Sequence, residues 1–255
     1  MRSLDGRVAI VTGASRGIGK ALATGLAARG AAVVCAARTE VETADGLPGT
    51  IHATVEEIAR RGGRGLAVRC DVGRADDLRN VVERTMERFG RLDVLINNAM
   101  APTRCRFDDM DVAVWDESMV TNVRSLFLLA KLVVPQMAAG DGGSIVNISS
   151  GGADHASTAA MPPGFLVYAV AKAAMERFTT ALAPEVADRR IAVNALRPGA
   201  VRTELATREL GAGFDWTGWT QPEDVVPPVA WLAEQTAPSF TGRILDAAGF
   251  GAGWP

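Results

Sequence analysis

Tyr168 and Lys172 stand four residues apart in the run Val167-Tyr168-Ala169-Val170-Ala171-Lys172. On a helix, that spacing puts a phenol and an ammonium on one face. A free phenol, with a pKa near 10, is a poor proton shuttle at neutral pH. Two unit charges about 4 Å apart at an effective dielectric of about 20 interact by roughly 4 kcal/mol, so Lys172 is expected to lower the pKa of Tyr168 by up to about three units. No other phenol competes, because the chain contains a single tyrosine. Alone, the pair describes an amphipathic surface contact equally well. Its company points further: Ser150 ends the strand-like run 144–150, and the carboxyl ends of parallel strands line ligand crevices.

A second constellation is Thr12-Gly13-Ala14-Ser15-Arg16-Gly17-Ile18-Gly19, between the apolar run Val8-Ala9-Ile10-Val11 and an Ala/Leu-rich helical segment. A strand that exits through glycines into a helix binds a dinucleotide pyrophosphate. Gly13 can take the backbone angles of the sharp exit, Gly17 lets the main chain approach the phosphates, and Gly19 lets helix and strand pack closely. The phosphates then sit on the helix N-terminus, with Ser15, Arg16 and Ile18 in the loop. After the second strand, where NAD-binding units carry a carboxylate for the ribose hydroxyls, this chain has Ala37 and Arg38. A missing carboxylate and a guanidinium, with Arg16 as a second, favour a 2′-phosphate and therefore NADP(H) over NAD(H). The other reading of Arg38 is a solvent-exposed strand end.

The elements that must position these groups alternate. Strand-like runs at 8–11, 31–38, 66–72, 92–99, 144–150, 191–196 and 243–246 are separated by helical spacing at 20–29, 55–61, 77–89, 112–137 and 167–187. This predicts one α/β domain over 1–255, a doubly wound, mostly parallel seven-stranded sheet with helices on both faces. Residues 39–50 read as a long loop that covers an adenosine or is surface. Residues 202–221 lack strand alternation and interleave Phe214, Trp216 and Trp219 with Gly211, Gly213 and Gly218. That pattern predicts a mobile lid over an apolar ligand, with a subunit interface as the other use of these aromatics.

Taken together, the glycine loop, Asn97-Asn98-Ala99, Asn122, Ile148-Ser149-Ser150, Tyr168/Lys172 and Arg197-Pro198-Gly199-Ala200-Val201-Arg202-Thr203 resemble the short-chain dehydrogenase/reductase family from about residue 8 to 249. The resemblance implies a Rossmann-type fold and a nicotinamide-dependent oxidoreductase. It assigns Ser150 to the substrate carbonyl oxygen, Tyr168 to proton transfer, and Lys172 to tuning the phenol and holding the nicotinamide ribose. Asn122 orders a water leading from Lys172 to solvent. It further implies that Asp71 and Val72 contact adenine, Asn98 the ribose region, and Val201 with Thr203 the carboxamide, with Pro198 and Gly199 also binding the cofactor. By the same resemblance, helices 112–137 and 167–187 are expected to pair subunits into a homodimer or homotetramer. Met100 replaces the usual glycine after Asn-Asn-Ala, and the longer 151–167 segment adds Met161, Pro162, Pro163 and Phe165 beside the pocket.

Other classes fit less well. The formal net charge is −2, with arginines scattered among acids, so no basic face for nucleic acid or an anionic membrane is indicated. The most apolar stretch, 126–137, contains Lys131 and Pro135 and is too short to span a bilayer. Without a signal-peptide pattern, and with isolated Cys35, Cys70 and Cys105, a cytoplasmic protein with reduced thiols is expected. A serine hydrolase using Ser150, Asp154 and His155 lacks the nucleophile elbow. A metal enzyme is disfavoured because His52 and His155, the two histidines, lack ligand spacing. A non-enzymatic NADP(H) sensor would need the glycine loop but not Ser150, Tyr168 and Lys172 together. With Met100, Met161 and Phe165 near the pocket and no arginine motif for a substrate carboxylate, the expected substrate is a small, apolar, neutral carbonyl or alcohol.

Overall fold

Val8-Ala9-Ile10-Val11 and the runs like it become strands that are buried on both faces. In β1 (Val8–Thr12) Ala9 and Val11 enter one core while Ile10 enters the other, and in β2 (Ala32–Ala37) Val33 and Cys35 oppose Val34. This period-two division suits a parallel sheet covered on both sides. The computed structural model describes residues 3–42, 46–155 and 162–254. The remaining strands are β3 (Arg64–Arg69), β4 (Val94–Asn97), β5 (Gly143–Ile148), β6 (Ile191–Arg197) and β7 (Ile244–Asp246). All pairings are parallel, in the order β3-β2-β1-β4-β5-β6-β7. The direction of winding therefore reverses between β1 and β4, the place where a doubly wound sheet opens a crevice.

Helices α1 (Gly17–Ala28), α2 (Ile51–Arg60) and α8 (Val226–Glu234) supply the core on one face. Helices α3 (Ala75–Phe89), α5 (Ser125–Ala139) and α6 (Leu166–Val186) supply the other. Local chemistry sets their ends: Thr50 caps α2 by accepting from Ala53 N–H at 3.0 Å, and Gly90 closes α3 with φ 72°. The first turn of α1 has no side-chain cap, so its amides stay available to a ligand.

Several boundaries differ from those expected. The 112–137 segment is α4 (Val112–Met119), a π-helical turn at Val120–Arg124, and α5. Together they make an unbroken helix, Val112–Ala139, that is long and apolar enough to cross a membrane by length and composition. The expected shortness is thus corrected, because Lys131 and Pro135 do not interrupt the helix. Leu129, Val133 and Met137 are buried in the sheet-facing core, as in a core helix. Strands β3 and β4 stop early, leaving Asp71, Val72 and Asn98 in the loops beyond their carboxyl ends. The 202–221 segment contains a helix, α7 (Glu204–Leu210), capped by Thr203, which accepts from Ala206 N–H at 3.2 Å. Helix α8 was not anticipated.

Packing between α1 and α8 depends on Gly25. A Cβ there would lie 2.3 Å from one methyl of Val226 and 2.9 Å from the other. Gly25→Ala is expected to destabilise by about 1–3 kcal/mol through overpacking, outweighing the gain in helix propensity of about 1 kcal/mol. Thermal unfolding should show a Tm lower by several degrees, partly restored when Val226→Ala is added to the same chain.

Candidate active site

The carboxyl ends of the strands open on a cleft of about 670 Å³. The cleft gathers nearly every residue singled out from the sequence. Gly13, Ser15, Arg16, Gly17, Ile18, Gly19 and Arg38 line one end, with Asp71, Val72 and Asn98 beyond them. Ser150, Tyr168 and Lys172 meet Pro198, Gly199, Val201 and Thr203 at the other.

At the glycine end, Gly13 has φ 69° and Gly17 φ 54°, both in the left-handed region. Gly19 admits no side chain, since a Cβ would sit 2.1 Å from the carbonyl oxygen of Gly13. The loop, with the uncapped N-terminus of α1 behind it, is a cradle with the donor set and close backbone that a dinucleotide pyrophosphate requires. Asn98 fixes the loop by donating to Thr12 O at 2.9 Å. A side recess of about 400 Å³ is lined by Arg16, Arg38, Thr39 and Glu40. Arg16 donates to the carbonyls of Pro48 and Gly49, both at 2.9 Å, so it also ties down the 46–50 loop. Glu40 is matched with His52 at 3.4 Å and Arg69 at 3.9 Å.

At the other end, the last residues of β5 and those just after it are fastened in turn to α6. Asn147 donates to Thr179 Oγ1 at 2.8 Å, and Lys172 Nζ donates to Ile148 O at 2.7 Å. Ser149 Oγ donates to Glu176 Oε1 at 2.7 Å, and Ser150 shares a side-chain hydrogen bond with Tyr168. Ser150 Oγ also accepts from Gly152 N–H at 3.2 Å, which orients the hydroxyl. A phenol and a hydroxyl side by side, with an ammonium beneath, can hold a carbonyl oxygen and pass it a proton.

The charge states differ from those expected. Burial pushes the Tyr168 phenol above its ordinary value, opposed by the Ser150 hydrogen bond and the Arg104 charge. Burial lowers Lys172 to about 8, offset by Glu176. The ammonium, only 2% exposed, stands 5.7 Å from the phenol ring centre. Burial of the phenol itself outweighs the groups that lower its pKa, and Lys172 is not among them, a correction to the sequence argument, which leaves desolvation out.

Asn122 is fully buried in the π turn and does not line the cleft. Its side chain accepts from Ala101 N–H at 3.1 Å and donates to Ser118 Oγ at 3.1 Å, so it anchors the loop after β4.

The 202–221 segment is stapled at its neck, with Arg202 N–H donating to Thr220 O and Thr220 N–H to Ala200 O, both at 2.9 Å. Of its three aromatics only Trp219 lines the cleft; Phe214 and Trp216 pack edge-on against it, at centroid distances of 5.5 and 5.1 Å. Met100 and Phe165 line the cleft as expected, whereas Pro162 and Pro163 are exposed and outside it. Met161 lies outside the described residues. Sequence reasoning missed Arg104, which lines the cleft, stacks 4.5 Å over Phe165 and pairs with Glu209 of α7 at 2.8 Å. No local motif announces that pair.

The hydrolase geometry is not formed: His155 is fully exposed and Ser150 bonds Tyr168 instead. Among the described residues no group of three or more His, Cys, Asp or Glu could hold a metal ion. Cys35 and Cys70 are buried, with thiols pushed up to about 12.

The buried ammonium has a consequence for stability. Because Lys172 titrates near 8 when folded and near 10.5 when unfolded, the unfolded state binds more protons between these values, and stability rises with pH across that window. Lys172→Met should therefore raise stability at pH 7 by about 2 kcal/mol and flatten the rise between pH 8 and 10. Thermal unfolding at pH 7 and pH 9 checks both, and a lower Tm at pH 7 than the unsubstituted protein would contradict them.

Comparison with known proteins identifies the family and the fold. The family model described as short chain dehydrogenase matches residues 7–211. A 3-oxoacyl-[acyl-carrier-protein] reductase of Synechocystis is 35% identical over 98% of this chain and 98% of its own length. An A-factor type gamma-butyrolactone 1'-reductase of Streptomyces virginiae is 37% identical, covering 95% of this chain and 94% of its own. Among solved structures, a 7 alpha-hydroxysteroid dehydrogenase complexed with NADH and 7-oxo glycochenodeoxycholic acid superposes with a TM-score of 0.83 at 30% identity, covering 97% of this chain and 95% of that one. A short chain dehydrogenase from Burkholderia cenocepacia in complex with NADP gives 0.80 at 32% identity, over 96% and 97%. With a parallel seven-stranded sheet, a glycine-lined cleft and matches over nearly its whole length, this chain belongs to the short-chain dehydrogenase/reductase family.

Proposed function

We propose that the protein is an NADP(H)-dependent oxidoreductase that interconverts a ketone or aldehyde and an alcohol, with Tyr168 as general acid and base. The observation that carries this reading is the convergence of Ser150, Tyr168 and Lys172 at one end of a cleft whose other end is the glycine cradle. The loop 13–19 and the start of α1 hold the pyrophosphate, Asp71 and Val72 the adenine, Asn98 the ribose region, Lys172 the nicotinamide ribose, and Val201 with Thr203 the carboxamide. The bound nicotinamide supplies hydride to the carbonyl carbon in reduction and takes it up in oxidation. As charge builds on the substrate oxygen, Ser150 donates a hydrogen bond to it and Tyr168 delivers its proton. Burial keeps the phenol protonated, the form reduction needs, and the Lys172 ammonium stabilises the phenolate left behind. A sensor or interaction protein that merely binds NADP(H) is the alternative, and it makes no use of this convergence.

The preference for NADP(H) is supported by the side recess. Arg38 is exposed at its wall beside Thr39 and Arg16, and the neighbouring carboxylate, Glu40, is already paired with Arg69 and close to His52. Met100, Phe165, Leu205 and Trp219 give the substrate end an apolar wall. The charge of Arg104 is matched by Glu209, which supports a neutral substrate. Val112, Phe127, Leu166 and Val170 on α4, α5 and α6 are 41–74% exposed, which supports a homodimer or homotetramer joined through these helices.

Tyr168→Phe is expected to bind NADPH as before and to lose on the order of 10² to 10⁴ in kcat across a panel of ketones followed by nicotinamide absorbance. Wild-type turnover by this variant on any good substrate would remove Tyr168 from the reaction. Arg38→Asp should weaken NADPH binding at least about tenfold while leaving NADH much less affected, since the new carboxylate repels a 2′-phosphate and accepts from a ribose hydroxyl. Equal losses in a titration with both cofactors would rule out Arg38 as the discriminating group.

A further inference from the structure

Glu176 lies one helical turn beyond Lys172 and two beyond Tyr168, on the face of α6 that meets the sheet. It is 5% exposed. Its carboxylate accepts from Ser149 Oγ at 2.7 Å, from Arg197 Nε at 2.7 Å and from Arg197 Nη2 at 2.8 Å. Arg197 in turn reaches Asp154 at 3.6 Å. Ser149 precedes Ser150, and Arg197 precedes Pro198-Gly199. One carboxylate thus joins three elements that each deliver a residue to the cleft: α6, the end of β5 and the end of β6.

We propose that Glu176 is a positioning residue for proton transfer, its carboxylate fixing Ser149 and Arg197, and through them Ser150 and the Pro198-Gly199 turn, to the helix that carries Tyr168 and Lys172. The inference rests on the reading above, in which those side chains do the chemistry. A buried pair held by bidentate geometry suits this role, because it has one low-energy arrangement and gives way only at the cost of an uncompensated charge.

Glu176 also acts through its charge. Lys172 meets Tyr168 and Glu176 on its own helix and the Ile148 carbonyl at the end of β5; Glu176 in turn faces Ser149 and Arg197, with Asp154 beyond Arg197, and Tyr168 faces Ser150 and Arg104. Glu176 is the anion that offsets the burial of Lys172. Its loss would leave Lys172 releasing its proton at lower pH, so the alkaline limb of the rate profile, where the ammonium is lost, would move down.

The test is steady-state kinetics of carbonyl reduction against pH for Glu176→Gln and Glu176→Asp, with Tyr168→Phe assayed in parallel. Glu176→Gln is expected to lower kcat about tenfold, to change the KM for the cofactor by less than about threefold, and to shift the alkaline limb down by about one pH unit. Glu176→Asp should restore the limb. An unmoved limb with near wild-type kcat in the Gln variant, even with a lower Tm, would reduce Glu176 to a structural brace and overturn the proposal. If the Gln variant does not fold, Ser149→Ala, which keeps both charges and removes one link, must lower kcat without raising the KM for the cofactor. Wild-type kcat in Ser149→Ala would then overturn it. Full activity in Tyr168→Phe would place the fault in the reading of the chemistry and not in Glu176.

Discussion

Strands β4, β5 and β6 run parallel and in register, so their carboxyl ends arrive at one edge together, and everything the cleft contains depends on this. Asn97 faces Asn147, Ile148 faces Leu196, and the ladder runs one residue further as Ser149 N–H donates to Leu196 O at 2.7 Å. A slip of one residue would turn each side chain to the opposite face. The contacts from β5 to α6 would then be lost together, since Asn147, Ile148, Ser149 and Ser150 each meet a different partner on that helix. Register and the geometry of the cleft are therefore one property of this chain.

Polar groups in the core enforce that register more strictly than apolar ones could. Asn97 donates to Asn147 Oδ1 at 2.8 Å, Asn147 donates to Thr179, and Thr179 donates to Met175 O at 2.8 Å, all of it buried. An apolar core tolerates rearrangement if volume is kept. A buried amide left without its partner costs about 1–3 kcal/mol, so each link penalises any alternative pairing. Lys172 adds a larger penalty of the same kind, with its ammonium answered by a carbonyl and by Glu176. The protein accepts an unfavourable burial at a position where a fixed charge is useful.

Much of this was legible in the sequence, and what was not shares a cause. The buried strands announce themselves because both faces are apolar, as in Val8-Ala9-Ile10-Val11, and Tyr168 with Lys172 is visible because helical spacing is local. The glycines of the loop are legible for the same reason, since a sharp turn is a property of neighbours. Helix α8 begins Val226-Pro227-Pro228, where proline reads as a breaker although the first helical turn tolerates it, and α7 is too short to show a period. Arg104 with Glu209 and Glu176 with Arg197 join residues far apart in the chain, and no spacing rule reports such a meeting. The charge on Tyr168 was misjudged because a pairwise Coulomb argument carries no information about burial.

The staple between Val201 and Thr220 makes the part of the segment beyond Glu204 an interchangeable one. Its two ends are already joined, so the main cost of lengthening or shortening the insert is loop closure, which grows by only about 0.6 kcal/mol for each doubling of length. Beyond the neck, Glu209 reaches Arg104 and Trp219 faces the cleft, and both can be exchanged without disturbing β6. Mutation can thus rewrite this wall of the cleft while the strand edges, Tyr168 and the glycine cradle stay as they are. A lineage carrying this scaffold can change what it acts on faster than it changes how it acts.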